Sequence, residues 1–385
     1  MFVSETHLPQ LLPPRAYYDR DWYEAEMEHV LRPAWWPVAL AHELPNDGDF
    51  VTFDHVDGPV ILRRSNGAIH GYRNVCAHRL AKLTGCPRGN CPSLRCEYHG
   101  WEYDESGDTR RIPDAPSFRP LEKGALGLEK LRIEQVGEIV FLSFVQHGPS
   151  VAGWLGRDEN DLLHNRFDER TAMFFRQDVD LPVNWKIVVE NNLEEYHTGA
   201  IHARSLGALW EKGEGDHRLW QGGSRFIQPA WWPRRGAERT ALSAGRTVHD
   251  KYVHSMNYPS LMWVQVEMSA GFQSVVPTGP RSCRYVMRSL VWLSRPRRPV
   301  LDYFLQRTSR RGLKGWLQVV GEDMAYLPHV QAGIESPVHP GPGLISRREE
   351  RITHFQRWLL DQLPGSAPAA ELPEQFATAT GGHPR

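Results

Sequence analysis

Cys76-Ala77-His78 and Cys96-Glu97-Tyr98-His99 are the two stretches on which the reading of this chain turns. Each offers one thiol and one imidazole a short step apart, with 17 residues (79–95) between the pairs. Gly85, Pro87, Gly89 and Pro92 fall in that interval, and such turn formers suit two loops meeting at hairpin tips. Cys86 and Cys91 lie there too, leaving only Cys283 elsewhere. Five cysteines are too few, and odd in number, for a disulfide scaffold in 385 residues. Clustered thiols in a reducing compartment indicate metal.

Two kinds of centre accept two cysteines and two histidines. A structural zinc prefers pairs of like ligands, C-x₂₋₄-C followed by H-x₃₋₅-H, and a C-x-H pair is an awkward bite for one tetrahedral ion. A Rieske [2Fe–2S] centre takes two cysteines on one iron and two histidines on the other. Two loops that each carry one sulfur and one nitrogen supply that division, so the spacing favours the Rieske centre. Cys86 and Cys91 have no slot in it and read as loop cysteines.

Outward from these loops, short β-branched runs at 51–53, 60–62 and 139–142 alternate with turn signals such as Asn66-Gly67 and Ser106-Gly107-Asp108. That pattern predicts a small antiparallel β domain built from hairpins. A short helix is expected before it, ending at Pro33, and a Gly-rich joint after it at 148–156. The second half reads as a helix at 184–202, long strands at 261–272 and 283–293, a basic turn at 295–298, and helices at 315–335 and 347–363. The Pro-, Ala-, Gly- and Thr-rich tail 364–385 reads as disordered. Forty-five basic against 46 acidic residues exclude a global field for nucleic acid, so the arginine runs at 295–298 and 307–311 read as solvated turns. With no long apolar run and no basic, apolar leader at the start, a cytoplasmic chain is expected.

A second constellation follows in Asn184-Trp185-Lys186-Ile187-Val188-Val189-Glu190-Asn191-Asn192-Leu193-Glu194-Glu195-Tyr196-His197 and on to His202. Glu194 and His197 share a helix face, whereas His197 and His202 stand about 140° apart on a regular helix. They can bind one ion only if the helix bulges or ends between them, and Thr198-Gly199 is the expected place. Two imidazoles and one carboxylate with open positions suit non-haem Fe(II). In Glu322-Asp323, Asp323 falls within the apolar stripe of Trp316, Val320, Leu327, Val330 and Ile334, while Glu322 points about 100° away. A carboxylate on an apolar face must be paired or bind metal, which selects Asp323 as the ligand.

From about residue 18 to 363 the chain resembles the α (oxygenase) subunit of the Rieske non-haem iron oxygenases, in the aromatic-ring-hydroxylating dioxygenase superfamily. The matching motifs are C-x-H…C-x-x-H-G-W at 76–101, N-W-K-x-x-x-E-N at 184–191, E-x-Y-H-x-x-x-x-H ending at His202, and E-D at 322–323. The resemblance implies an α+β fold, with a small all-β Rieske domain inserted near the N-terminus of a helix-grip (START-like) catalytic domain that has an antiparallel sheet. The corresponding boundaries are 1–35 for an N-terminal helix packing on the catalytic domain, 36–147 for the Rieske domain, 148–363 for the catalytic domain and 364–385 for the tail. It assigns Cys76, His78, Cys96 and His99 to the cluster, and His197, His202 and Asp323 to one mononuclear Fe(II). Glu194 stands where an acid bridges the iron ligand His197 to the neighbour's His99 in a head-to-tail homotrimer, and Asn191 joins it as a candidate catalytic residue. Two departures stand out: the bridging acid is usually Asp, Glu occurring in members acting on quaternary ammonium compounds, and Leu80 replaces a glycine.

The implied activity is that of a terminal oxygenase using O₂ and electrons from a ferredoxin or an NAD(P)H-dependent reductase. Its implied substrate is a small organic, aromatic molecule, with C–N cleavage of a quaternary amine of the carnitine or betaine kind as the alternative. Trp210, Trp220, Trp231 and Trp232 are candidates for the pocket wall, either a cage for a cation or a slot for a ring. Arg79, Lys82, Arg88, Arg95, Arg110 and Arg111 surround the cluster motif and could dock an acidic donor. No G-x-G-x-x-G opens a helix after a strand, so electrons must come from another protein. Two other classes remain: a Rieske electron carrier without oxygenase activity, and a zinc-stabilised START-like binding protein.

Overall fold

The computed structural model describes residues 2–122, 125–206, 215–229, 249–267, 269–339 and 343–365. The chain folds as two compact units, one spanning Arg32–Glu169 and the other made of the residues up to Leu31 together with those from Arg170 onward. The first unit is therefore an insertion near the N-terminus of the second.

The inserted unit consists of antiparallel strands. Those bearing on the site are β1 (Trp36–Leu40), β2 (Asp49–His55), β3 (Gly58–Ser65), β4 (Ala68–Arg73), β5 (Arg88–Asn90), β6 (Leu94–Arg95), β7 (Glu102–Tyr103), β8 (Thr109–Arg111), β9 (Lys130–Val136) and β10 (Ile139–Ser143). Seven of them form a sheet in the order β1-β10-β9-β4-β3-β2-β5, and β6-β7-β8 form a second. Asn66-Gly67 makes the expected two-residue hairpin turn: both residues have positive φ (51° and 75°) and Ser65 pairs with Ala68. The core joins Phe50, Ile61, Tyr72, Leu83, Leu94, Trp101, Tyr103 and Leu128 to Cys76 and Cys96. Helices α1 (Val151–Leu155) and α2 (Arg157–Arg166) follow.

The larger unit carries strands β11 (Thr171–Leu181), β12 (Asp216–Trp220), β13 (Gly223–Pro229), β14 (His249–Asn257), β15 (Leu261–Glu267), β16 (Ser269–Gly279) and β17 (Ser282–Trp292). They form one antiparallel sheet in the order β11-β17-β16-β15-β14-β13-β12. The unit also carries helices α3 (Trp185–Asn192), α4 (Thr198–Ile201), α5 (Pro299–Ile334) and α6 (Glu350–Gln362). Helix α5 packs on α3, β11 and β17, and α6 on β12 and β13. Sheet and long helix give the α+β helix-grip arrangement.

Several local expectations are corrected. The stretch 261–272 is two strands that turn back on themselves, pairing Val266 with Ser269. Helix α5 starts at Pro299, well before residue 315, because proline is tolerated in a first turn where its N–H has no partner anyway. It therefore contains the arginine run 307–311, which is helical rather than a turn, and it continues through Pro328. The 184–202 helix breaks at 193–197, ahead of Thr198-Gly199, and α4 restarts at Thr198. The tail from residue 366, and Trp210, Trp231 and Trp232, lie outside the described residues.

Trp185, Lys186 and Glu190 of the N-W-K-x-x-x-E-N motif serve as scaffold. A short helix, Arg20–Glu26, is capped by Asp19, whose side chain accepts from the Trp22 N–H at 2.9 Å. Its last residue, Glu26, is fully buried and accepts from Trp185 Nε1 at 2.8 Å, Trp22 Nε1 at 3.0 Å and Lys186 Nζ at 2.7 Å. One turn on, Glu190 accepts from the Tyr17 hydroxyl at 2.7 Å and Gln356 Nε2 at 2.9 Å. Burial pushes the Glu190 carboxyl up to about 7, against the pull of those hydrogen bonds and of Lys186. This network clamps α3, which leads into the turn that carries the candidate ligands His197 and His202.

Candidate functional site

The two Cys–His loops have the same backbone. In each, the cysteine N–H donates to the carbonyl five residues on (Ala81 and Trp101, both 2.8 Å). The residue four on donates back to the cysteine carbonyl (Leu80 at 3.1 Å, Gly100 at 2.9 Å) and has positive φ, 59° at Leu80 and 73° at Gly100. Cys76 and Cys96 are buried in the core, whereas His78 is half-buried and His99 exposed. The imidazoles meet edge to face with centroids 4.8 Å apart, and His78 stacks parallel on Trp101 at 5.0 Å. Inner sulfurs and outer nitrogens match the division that a Rieske centre requires. His78 Nδ1, buried and without a hydrogen-bond partner among the described residues, is the orphaned atom such a cluster would take up. The Tyr103 hydroxyl lies 3.0 Å from Cys76 Sγ, within reach of a cluster sulfur.

His197, His202 and Asp323 converge although α4 and α5 are far apart in sequence. One ligand atom from each lies within 4.8 Å of the others. Asp323 Oδ1 is 3.3 Å from His197 Nε2 and 3.0 Å from His202 Nε2, yet it has no hydrogen-bond partner among the described residues. Neighbouring corners of an octahedron with bonds of about 2.1 Å stand about 3.0 Å apart, so the three atoms fit one ion. Each imidazole is held by its other nitrogen: His197 Nδ1 by Glu194, and His202 Nδ1 by Glu322 Oε2 at 2.9 Å. That leaves both Nε2 lone pairs for metal. Glu194 also accepts the backbone N–H of Tyr196 and His197, and thereby shapes the turn at 193–197. Burial opposes charge on His197, but Asp323 and Glu194 outweigh it and raise the imidazole to about 10, so protons and metal compete for the same nitrogen.

The sequence placed Glu322 off the ligand stripe, and that placement is what lets it reach around to His202 Nδ1. Ser205 Oγ donates to the same carboxylate at 2.6 Å and Gln318 Nε2 to its other oxygen at 3.1 Å. Neither the Glu322 role nor Ser205 was anticipated; a carboxylate next to the ligand in sequence was the available signal.

The triad faces a cavity of about 660 Å³. Asn191, Glu194 and Glu195 line it from α3 and the following turn, and Val264, Val266, Met287, Val319, Val320 and Leu327 give it an apolar wall. Among the described residues its aromatic lining comes from Phe174, Phe226, Tyr252, Tyr285 and Trp316. Trp220, expected in the wall, lies in β12 under the Arg225 guanidinium. Arg79, Lys82, Arg88, Arg95, Arg110 and Arg111 are all exposed. Three of them are paired, Lys82 with Asp54, Arg88 with Glu43 and Arg111 with Glu102. Cys86 is exposed, Cys91 half-buried and Cys283 buried, and all are free thiols. No helix among the described residues is long and apolar enough to cross a membrane.

Comparison with known proteins agrees with this geometry. Residues 34–129 match the Rieske [2Fe-2S] domain model, and residues 168–365 match the model of the ring hydroxylating alpha subunit (catalytic domain). The chloroplastic choline monooxygenase of Beta vulgaris is 23% identical over 92% of this chain and 77% of its own length. The large subunit of anthranilate 1,2-dioxygenase from Burkholderia cepacia is 31% identical over 52% of this chain and 50% of its own. A solved quaternary ammonium Rieske monooxygenase superposes with a TM-score of 0.80 at 18% identity, covering 94% of this chain and 98% of that one. Its fold is shared, as is that of naphthalene 1,2-dioxygenase from Rhodococcus sp. (TM-score 0.71, 21% identity, 92% and 95% covered). The chain belongs to the ring-hydroxylating oxygenase α-subunit family: it is a Rieske-type oxidoreductase with one [2Fe–2S] cluster and one mononuclear non-haem iron.

Proposed function

We propose that Cys76, His78, Cys96 and His99 hold the cluster, that His197, His202 and Asp323 hold the iron, and that the enzyme oxidises a small organic molecule in the cavity beside them. The observation that carries this is the convergence of three ligand atoms within 4.8 Å on the wall of a cavity of about 660 Å³. Bound there, the cluster supplies single electrons and the iron supplies O₂ activation at a face with open positions. The protein's own work is orientation. Glu194 and Glu322 fix the two imidazoles, and the apolar wall keeps water from the reacting carbon. In a head-to-tail homotrimer Glu194 would also accept the N–H of His99 of the partner subunit, joining the two redox centres. Asn191, on the cavity wall, positions substrate. The exposed Arg79, Arg95 and Arg110 form the docking face for an acidic ferredoxin or an NAD(P)H-dependent reductase. Five free cysteines favour the cytoplasm as the site of action.

The aromatic and aliphatic lining favours an aromatic or similarly apolar substrate body. A second reading, oxidation of a quaternary ammonium compound, is favoured by Glu194 at the bridging position and by choline monooxygenases among the relatives that span most of the chain. Reducing the enzyme without oxygen and exposing it once to ¹⁸O₂ tests both. One substrate pool holds aromatic acids and hydrocarbons, the other betaines and quaternary amines. Labelled ring products support the first reading; labelled product or released aldehyde from the amines supports the second. No label in either pool, with both metals present, defeats both substrate readings.

A further inference from the structure

The cavity wall holds a charge that neither metal site uses. Arg351 is 2% exposed and lines the cavity from the first turn of α6. Its Nε donates to Ser224 Oγ at 3.1 Å, and one terminal nitrogen donates to His254 Nδ1 at 3.2 Å. Among the described residues no carboxylate lies within ion-pair distance of it. Glu195 and Glu350, whose fields reach it, are occupied elsewhere: Glu195 pairs with Arg348 at 3.2 Å. Glu350 takes His217 Nδ1 at 2.9 Å and the N–H groups of Val3 and Ser4 at 2.8 and 2.6 Å. A buried cation without a counter-ion is costly, and the positive end of a helix makes it more so. Burial lowers the guanidinium only to about 10, so it stays charged at neutral pH.

Its neighbour adds a second donor. A guanidinium can only donate, so His254 Nδ1 must accept and Nε2 carries the proton. Burial and then the Arg351 charge hold this imidazole neutral, down to about 3. His254 is 6% exposed, lines the same cavity, and its Nε2–H has no acceptor among the described residues. One part of the wall therefore carries a cation and an N–H, both waiting for an anion.

We propose that Arg351 and His254 form a carboxylate subsite: the substrate bears a carboxylate that pairs with Arg351 and accepts from His254, while its body lies against the apolar wall. This rests on the proposed oxygenase reading and narrows its substrate. It admits aromatic acids and betaines, and it disfavours their neutral or purely cationic counterparts, since a carboxylate offers the paired oxygens that a guanidinium fork fits.

The test is binding to the holoenzyme under nitrogen, by calorimetry and thermal shift, with two matched pairs: benzoate against benzamide, and glycine betaine against choline. The expected result is at least a tenfold tighter Kd for one carboxylate over its partner. Preference for benzoate places the anion on an aromatic body, and preference for glycine betaine places it on a zwitterion. Arg351→Met should cancel the preference and raise the melting temperature of the ligand-free protein, because it removes an unpaired buried charge. A purely structural arginine would lower it. The wild-type pairs need no variant to fold, so they decide alone if Arg351→Met does not. Equal binding within both pairs, no binding by either carboxylate, or a preference that survives Arg351→Met overturns the subsite. Binding is read without turnover: a carboxylate preference in an enzyme that oxidises nothing defeats the oxygenase reading and keeps the subsite, while oxidation without preference does the reverse.

Discussion

The loops at 76–81 and 96–101 and the turn at 193–202 each present proposed metal ligands, but they depend on different parts of the chain. Each cluster loop closes on itself through two backbone hydrogen bonds, and its cysteine is a core residue of the inserted unit. The histidines proposed to hold iron, His197 and His202, sit on an irregular turn, and the carboxylates near them, Glu322 and Asp323, arrive from about 120 residues away on α5. The cluster site is thus a local motif inside a core. The iron site is a meeting of elements, only as good as the scaffold that holds α3, α4 and α5 together. Remote substitutions should reach the iron more readily than the cluster.

The sharpest way to break that contrast is Lys186→Met. It strands the Glu26 carboxylate in the core without its cation, a change that costs about 3–5 kcal/mol. Denaturant unfolding should show the loss, and iron should leave before the visible absorbance of the cluster fades. Simultaneous loss of both would mean the two sites share one scaffold. Glu322→Ala removes the support behind His202 Nδ1 and should weaken iron binding by roughly 10–100-fold, with an unchanged cluster spectrum. Unaltered iron affinity would reduce Glu322 to a surface carboxylate.

Two smaller effects sharpen each side. Glu190 has a folded-state value raised to about 7, above the ordinary carboxylate range. The folded state therefore binds more protons than the unfolded one between about pH 4.5 and 7, and this group's contribution to stability falls as pH rises through that window. Glu190→Gln should flatten that slope relative to wild type, by about 1–3 kcal/mol across the window in pH-dependent unfolding. A parallel profile would contradict the assignment. On the cluster side, Leu80→Gly should relieve a left-handed leucine and stabilise the loop by less than about 1 kcal/mol, since glycine also loosens the unfolded chain. Gly100→Ala should do the opposite, its new Cβ lying 3.1 Å from the Arg95 guanidinium.

The same contrast explains what was legible beforehand. Cys76, His78, Cys96 and His99 stood out as the proposed cluster ligands, because spacing within about 25 residues encodes the ligand division. His197, His202 and Asp323 could be read as candidates from chemistry and periodicity. Their second partners could not, since a helical wheel gives direction on one helix and not what crosses from another. The break at 193–197 escaped because Glu194 makes it by capping backbone N–H groups, which leaves no proline or glycine as a signal. Helix α5 was cut short by its arginine run and by Pro299, yet proline at a helix start is favourable. Arg351 and His254 were invisible: a lone arginine in an amphipathic helix normally faces water, and only the fold shows it buried without a counter-ion among the described residues.

Iron and sulfide analysis with electron paramagnetic resonance, on wild type and Asp323→Ala, tests the division into two centres most directly. The account predicts about three irons and two sulfides per chain in the wild type, and about two irons with an unchanged cluster signal in the variant. A variant that keeps its third iron, or that loses the cluster signal along with it, would contradict the separation of the two sites.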